Sequence, residues 1–294
     1  MDQQTGITAQ TSLLGIIGHP VSHSLSPLFQ NAALNALNLD YVYLAFDILP
    51  EELSNAVQSI RTLKFRGVNV TVPHKETIVK YLDKLVDLGL ILGAVNTVVV
   101  EGGNLVGYNT DGFGFSQALE QNHLEVNGKN AILVGAGGVA RAVLYILIQK
   151  GIQKVFLYNR SPQRSSLFQY WAETTLKWVV EVDSWENFIN GRSPYLRCAD
   201  LLIHTTSLGL HQEILPTPWN EIENCGAVID VVYHKDETPL VKEARKRSKI
   251  AFDGKMMLLY QGAESFRLFT GFNAPIEIME RALNEAKGLD GPLR

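Results

Sequence analysis

Cysteine is almost missing from this chain of 294 residues. Cys198 and Cys225 are the only two, too few for a disulfide framework, so they read as reduced thiols of a cytoplasmic protein. Long apolar runs are also missing. The most apolar stretch, Leu88 to Val100, is short and contains Asn96 and Thr97, which excludes a membrane-spanning helix there. Lysine and arginine form no block, and the net charge is −4. Neither a nucleic-acid groove nor an anionic membrane surface is therefore expected as a partner. Met1 to Thr11 has no basic segment followed by an apolar one, so it is not a secretory signal and reads as a frayed tail. The seven histidines are scattered. His19 and His23 stand four apart, but Pro20 and Ser22 argue against one shared helical face, so no metal site is expected.

What is present suits a globular protein long enough for two domains. Leu13 to Gly18 reads as a buried strand running into a polar turn. Ser26 followed by Pro27 predicts a helix start, with Ser26 as the cap. A strand is expected at Tyr41 to Phe46. Leu53, Val57, Ile60 and Leu63 form one helical stripe. A strand follows at Val68 to Val72, then a helix from about Lys75 to Leu85, then two strands joined by Gly102-Gly103. Alternating elements of this kind predict an α/β domain with a mostly parallel sheet, ending near Gly112. A second α/β unit begins near Asn127. It has strands at Ala131–Val134, Lys154–Tyr158, Leu201–His204 and Ala227–Val231, and a helix around Pro239–Lys246. The chain is expected to be helical around Met256–Thr270 and Ile276–Lys287.

Two local patterns carry chemistry. In Gly67-Val68-Asn69-Val70-Thr71-Val72-Pro73-His74-Lys75, Asn69 and Thr71 fall on one strand face with Lys75 just beyond it. The pattern suits either a small polar ligand or an edge strand with a solvated lysine. The second pattern is Gly135-Ala136-Gly137-Gly138-Val139-Ala140, which matches G-x-G-x-x-[GA] between an expected strand and an expected helix. Gly135 permits the tight turn, Gly137 lets backbone N–H groups approach a pyrophosphate, and Gly138 and Ala140 keep the helix close. A purely structural glycine turn is the other reading. The next strand ends in Asn159-Arg160-Ser161, with Arg164 nearby and no acidic residue. Two guanidiniums suit the 2′-phosphate of NADP better than the free ribose of NAD; two solvated arginines at a helix start would look the same.

Further polar clusters lie at Ser22–Ser26, Gly93–Thr97 and Gly107–Gly112, none of them a metal site or a Ser/His/Asp triad. With these in place, the chain closely resembles the shikimate dehydrogenase family. The resemblance rests on His23–Pro27, Asn69–Lys75, Gly93–Thr97, Asn109–Gly112, Gly135–Ala142, Asn159-Arg160, Asp230–Tyr233, Thr238–Leu240 and Gln261–Ala263, in order. It implies an N-terminal α/β substrate domain plus a Rossmann-like NADP-binding domain, with the active site in the interdomain cleft. Residues 1–112, completed by C-terminal helices 253–294, would carry substrate and catalysis, and residues 113–252 would bind NADP(H). The implied reaction is reduction of 3-dehydroshikimate to shikimate by NADPH. Lys75 and Asp111 would be the catalytic pair. Ser24 and Ser26 would bind the substrate carboxylate, with Thr71 and Tyr233 close by, while Asn96 and Gln261 would hold ring hydroxyls. The nucleotide would contact Gly135 to Ala140, Asn159, Arg160, Ser161, Arg164 and Gly254.

Some positions depart from the family pattern: His204 stands where Asn is common, Lys235 where proline is usual, and Lys255 and Phe269 where apolar and Trp residues are more usual. None of them touches the expected catalytic pair. Gly112-Phe113-Gly114 is expected to act as a hinge. The nearest competing reading is a quinate or quinate/shikimate dehydrogenase, and a remoter one is an inactive nucleotide sensor. The resemblance leaves the choice between monomer and homodimer open.

Overall fold

The structure, a computed structural model, describes residues 6–209, 213–234 and 236–285. The chain divides into two compact units. The first runs to Gly114 and resumes at Leu259, and the second is Phe115–Leu258.

The first stretch contains β1 (Ser12–Gly18), α1 (Ser26–Ala36), β2 (Tyr41–Asp47), α2 (Leu53–Thr62), β3 (Gly67–Val70), β4 (Lys84–Leu85), α3 (Asp87–Leu92), β5 (Thr97–Glu101), β6 (Asn104–Tyr108) and α4 (Asp111–Gln121). The middle of the chain contains β7 (Asn130–Val134), α5 (Gly138–Gln149), β8 (Lys154–Tyr158), α6 (Pro162–Trp171), β9 (Glu181–Asp183), α7 (Trp185–Ile189), β10 (Leu201–His204), β11 (Ala227–Asp230), α8 (Pro239–Lys246) and β12 (Ile250–Phe252). Helices α9 (Lys255–Thr270) and α10 (Ile276–Glu285) follow. Among the described residues no helix is long and apolar enough to cross a membrane.

In the first unit the strand order is β2-β1-β3-β5-β6-β4. Strands β2, β1 and β3 run parallel, but β5 is antiparallel to both β3 and β6. The sheet is therefore mixed rather than mostly parallel, because the Gly102-Gly103 hairpin reverses the chain there. The expected helix from Lys75 to Leu85 is not formed. A single 3-10 turn, Thr77–Tyr81, is followed by β4. The backbone there bonds to a neighbouring strand instead: Asp83 N–H donates to Leu105 O and Val86 N–H to Gly107 O. Strand β3 ends at Val70, which leaves Val72 outside it and 55% exposed. On α2, Leu53, Val57 and Ile60 are buried as expected, whereas Leu63 lies past the helix end and is exposed. Ser26 does not cap α1. It is the first helical residue, and the capping position falls on Leu25 with no side-chain bond. The expected hinge at Gly112–Gly114 lies within the first turn of α4 and is helical.

The second unit holds one parallel sheet in the order β12-β11-β10-β7-β8-β9. Its strands are buried on both faces. Ile132, Val134, Phe156, Tyr158, Leu202 and Val228 belong to one core cluster. Ala131, Leu133, Val155, Leu157, Leu201 and Ile203 belong to another. Successive residues alternate between the two clusters, the two-residue period of a strand. That is why these strands read as unbroken apolar runs in the sequence.

Candidate active site

In the first unit, a short backbone path fixes Lys75. Thr71 N–H donates to Ile17 O, and His74 N–H donates to Thr71 O. The buried His74 ring is bonded to Ile48 O at 2.7 Å, and Lys75 O accepts from Val95 N–H at 2.8 Å. Gly18 passes so close to Thr71 that a Cβ there would run into the threonine methyl.

The Lys75 ammonium donates to Asp111 Oδ2 at 2.6 Å, with the side chains 14% and 5% exposed. The other carboxylate oxygen, Oδ1, accepts from Asn96 Nδ2 at 2.9 Å. Asp111 opens α4, where the positive helix end favours a carboxylate, and its N–H is held by Asn109 Oδ1 at 3.0 Å. Asn96 also donates to Gln261 Oε1 at 3.1 Å, and its side-chain carbonyl accepts from Thr110 N–H at 2.8 Å. Lys75, Asp111, Asn96 and Gln261 are thus brought together from four separate stretches of chain.

Behind them lies a buried polar layer that joins Asn69, Thr97 and Thr110 to Tyr43 and Ser265, two residues the sequence pattern did not single out. Ser265 Oγ bonds Thr97 Oγ1 at 2.8 Å and Thr110 Oγ1 at 3.1 Å. Asn69 Nδ2 donates to Ser265 Oγ at 2.9 Å and to Asn96 O at 3.1 Å. Its carbonyl accepts from Tyr43 Oη at 2.7 Å. Burial raises the Tyr43 pKa well above its ordinary value of 10, so that proton stays on the phenol. Asn69 is therefore fully engaged within the protein. A signal for Ser265 was available, since it stands four residues after Gln261 on α9 and so shares its face.

Ser24 is half-buried in the turn before α1, and its Oγ accepts from Ser26 N–H at 3.3 Å. Ser26 is 4% exposed. Tyr233 lies in the second unit, on the loop after β11.

In the second unit, Gly135 follows β7 with φ +115°, a left-handed conformation that favours glycine. Its Cβ would also fall 2.5 Å from Thr205 Oγ1. A Cβ on Gly137 would meet nothing within 4 Å, so no protein contact requires glycine there. The open space lies at the N-terminus of α5, which no side chain caps. Its first N–H groups have no intrahelical partner, which makes an anion site. Ala136, Gly137 and Val139 are half-exposed at this turn, whereas Gly138 and Ala140 are buried.

Asn159 follows β8 and donates to Ser161 O at 3.0 Å. Ser161 caps α6 by accepting from Arg164 N–H. Arg160 and Arg164 are exposed, and among the described residues neither guanidinium has a protein partner. A glycine turn with open space above it and two available guanidiniums fits a nucleotide carrying an extra phosphate. Gly254 is buried against Val231 O, and its N–H donates to Val232 O at 3.0 Å.

Of the four departures, His204 is buried and paired with Asp230. Phe269 is fully buried, with its ring against Gly67. Lys255 lies 3.6 Å from Asp253. Lys235 lies outside the described residues.

Three family descriptions match the chain. Residues 16–98 match the shikimate dehydrogenase substrate binding domain, 117–207 match shikimate / quinate 5-dehydrogenase, and 257–283 match the shikimate 5′-dehydrogenase C-terminal domain. Shikimate dehydrogenase (NADP(+)) of Moorella thermoacetica is 43% identical over 96% of this chain and 96% of its own length. That of Methanothermobacter thermautotrophicus is 39% identical over 97% and 100%. Among solved structures, shikimate dehydrogenase from Aquifex aeolicus superposes with a TM-score of 0.83 at 40% identity, covering 95% of this chain and 100% of that one. The Thermus thermophilus enzyme in complex with NADP(H) and shikimate gives 0.80 at 35%, covering 92% and 98%. Quinate dehydrogenase from Corynebacterium glutamicum in complex with NAD gives 0.82 at 28%, covering 92% and 98%.

Proposed function

The chain belongs to the shikimate dehydrogenase family, and from this premise we propose that Lys75 and Asp111 carry the proton chemistry of its reaction. The enzyme is an NADP-dependent oxidoreductase of aromatic amino acid biosynthesis that interconverts 3-dehydroshikimate and shikimate. The observation that carries our reading is the 2.6 Å contact between two nearly buried, opposite charges, Lys75 and Asp111.

When bound, NADPH supplies the hydride. Hydride addition to the ketone builds negative charge on its oxygen. The Lys75 ammonium stabilises that charge and delivers the proton. Asp111 holds the ammonium in place and accepts a bond from a neighbouring substrate hydroxyl. Ser24 and Ser26 bind the substrate carboxylate, with Thr71 and Tyr233 contributing, and Asn96 and Gln261 hold ring hydroxyls. The nucleotide pyrophosphate rests on Gly135–Ala140, and Asn159, Arg160, Ser161 and Arg164 surround the 2′-phosphate. Gly254 contributes backbone at the same end of the sheet. The unit of residues 1–114 with 259–294 serves the substrate, and the unit of residues 115–258, which contains Gly254, serves the nucleotide. The enzyme works in the cytoplasm on a small molecule, as a monomer or homodimer, with neither nucleic acid nor membrane as a partner.

Similarity to an NAD-bound quinate dehydrogenase favours one second reading, a relaxed quinate/shikimate enzyme. The test is NAD(P)H formation by the purified protein with shikimate or quinate, each paired with NADP or NAD. Turnover confined to shikimate with NADP is expected. Comparable turnover with quinate or NAD would favour the relaxed enzyme, and no turnover with any pair would favour an inactive sensor.

A further inference from the structure

His204 closes β10, directly beside Asp230 at the end of β11 and Val134 at the end of β7. It is 1% exposed, and both ring nitrogens are engaged. Nδ1 lies 2.9 Å from Asp230 Oδ1, and Nε2 lies 2.5 Å from Thr206 Oγ1. The imidazole tautomer that serves both contacts carries its proton on Nδ1: that N–H donates to the Asp230 carboxylate, and the Thr206 hydroxyl donates to Nε2. Asp230 Oδ1 is itself steadied by Val232 N–H at 3.1 Å. The Thr206 oxygen accepts from Leu208 N–H at 3.1 Å. A chain of bonds thus ties the turn after β10 to the end of β11.

That turn abuts the glycine turn. Thr205 N–H and its hydroxyl both donate to Val134 O at 2.8 Å, and Thr205 Oγ1 occupies the space that a Cβ on Gly135 would need. In the sheet, β8 and β10 flank β7 on opposite sides. This is the switch point, outside whose strand ends a dinucleotide lies. A nucleotide with its 2′-phosphate at the β8 end and its pyrophosphate over Gly137 sends its other half toward the β10 end.

We propose that His204, backed by Asp230, is a positioning residue for the nicotinamide half of NADP, acting by fixing the Thr205–Leu208 turn against Gly135. The inference rests on the NADP reading above. It also gives a purpose to the replacement of the common asparagine: the imidazole spans two partners on two elements and leaves neither nitrogen unpaired.

The test compares His204→Ala, Thr206→Val and His204→Asn with the wild type in the full-length protein. Calorimetry gives Kd for NADP and, separately, for shikimate, and steady-state assays give KM and kcat. His204→Ala and Thr206→Val are each expected to raise Kd and KM for NADP about tenfold and to leave Kd for shikimate unchanged. His204→Asn, which keeps one donor and one acceptor, is expected to recover most of the loss. Should His204→Ala fail to fold, Thr206→Val carries the test, because it keeps the His204–Asp230 bond and the backbone. Wild-type NADP affinity in the folded variants would overturn the proposal. So would a parallel loss of shikimate binding, which would mark a general defect. Arg160→Ala separates the two readings. If it weakens NADP while the His204 and Thr206 variants do not, only the positioning role fails. If the wild type binds no NADP, both fail.

Discussion

Lys75 and Asp111 sit in a cage of hydrogen bonds, whereas Arg160 and Arg164 stand in solvent, without protein partners among the described residues. The two regions use different materials for different tasks. Around Asp111, amides and hydroxyls from β3, β5, the start of α4 and α9 are already paired with one another. Proton chemistry gains from such fixed dipoles, because nothing has to reorganise as charge develops. Around Gly137 the protein contributes backbone N–H groups, open space and two long side chains. A phosphate can be gripped by groups that order on binding, since the forked guanidinium needs little preorganisation of its own. On the assignment proposed above, the chemistry is held by buried polar pairing, and the nucleotide by backbone shape and exposed charge.

The contrast can be broken from either side. Asn69→Ala removes from the cage an amide that is not itself among the expected substrate contacts. It removes the acceptor of the Tyr43 hydroxyl, which keeps only its contact with Ser26, and loosens Ser265 and Asn96. A loss of about 2–4 kcal/mol in stability is expected, with a fall in kcat, measured by calorimetry and steady-state assay. An unchanged melting temperature would mean that the cage is not rigid. Arg160→Ala should weaken NADP by on the order of tenfold to a hundredfold and leave NAD and thermal stability alone; equal loss for both nucleotides would remove Arg160 from the 2′-phosphate.

The smallest effect concerns Asp253, which directly follows β12. Burial raises its pKa above the ordinary 3.8, against the lowering effect of Lys255. The folded state therefore keeps this proton to higher pH than the unfolded chain does. Its contribution to stability is complete below the unfolded value and is lost as pH rises through the folded one. Asp253→Asn can still accept from Lys255 N–H, the bond that Oδ1 now makes. It should melt slightly above the wild type near neutrality and together with it at about pH 3. A variant that melts lower at neutral pH would contradict this.

How much could be read from the sequence follows the same contrast. The glycine turn is contiguous, and Gly135, Gly137, Gly138 and Ala140 each have a local backbone reason, so the β7–turn–α5 unit was legible. The same holds for the Gly102-Gly103 hairpin. The cage was not legible from local pattern, because Asn69 and Ser265 meet from 196 residues apart. Local pattern marked the clusters that hold Lys75, Asn96 and Asp111, but only the family resemblance added Gln261 and gave each residue its role. The segment after Lys75 misled for a related reason: its helical composition lost to strand pairing with β6. Ser26-Pro27 marked the right helix start but the wrong cap, since the side chain is buried within the first turn. His204 was noticed only as a departure. Its pairing with Asp230 depends on two strands ending side by side, which sequence spacing does not reveal.

The most direct measurement on the central claim is the single-turnover reduction of 3-dehydroshikimate by Lys75→Ala, taken together with its affinities for shikimate and NADPH. Both affinities are expected to stay near wild type while the rate falls by about a thousandfold. A near-normal rate, or a loss that lies wholly in binding, would contradict a catalytic role for the Lys75–Asp111 pair.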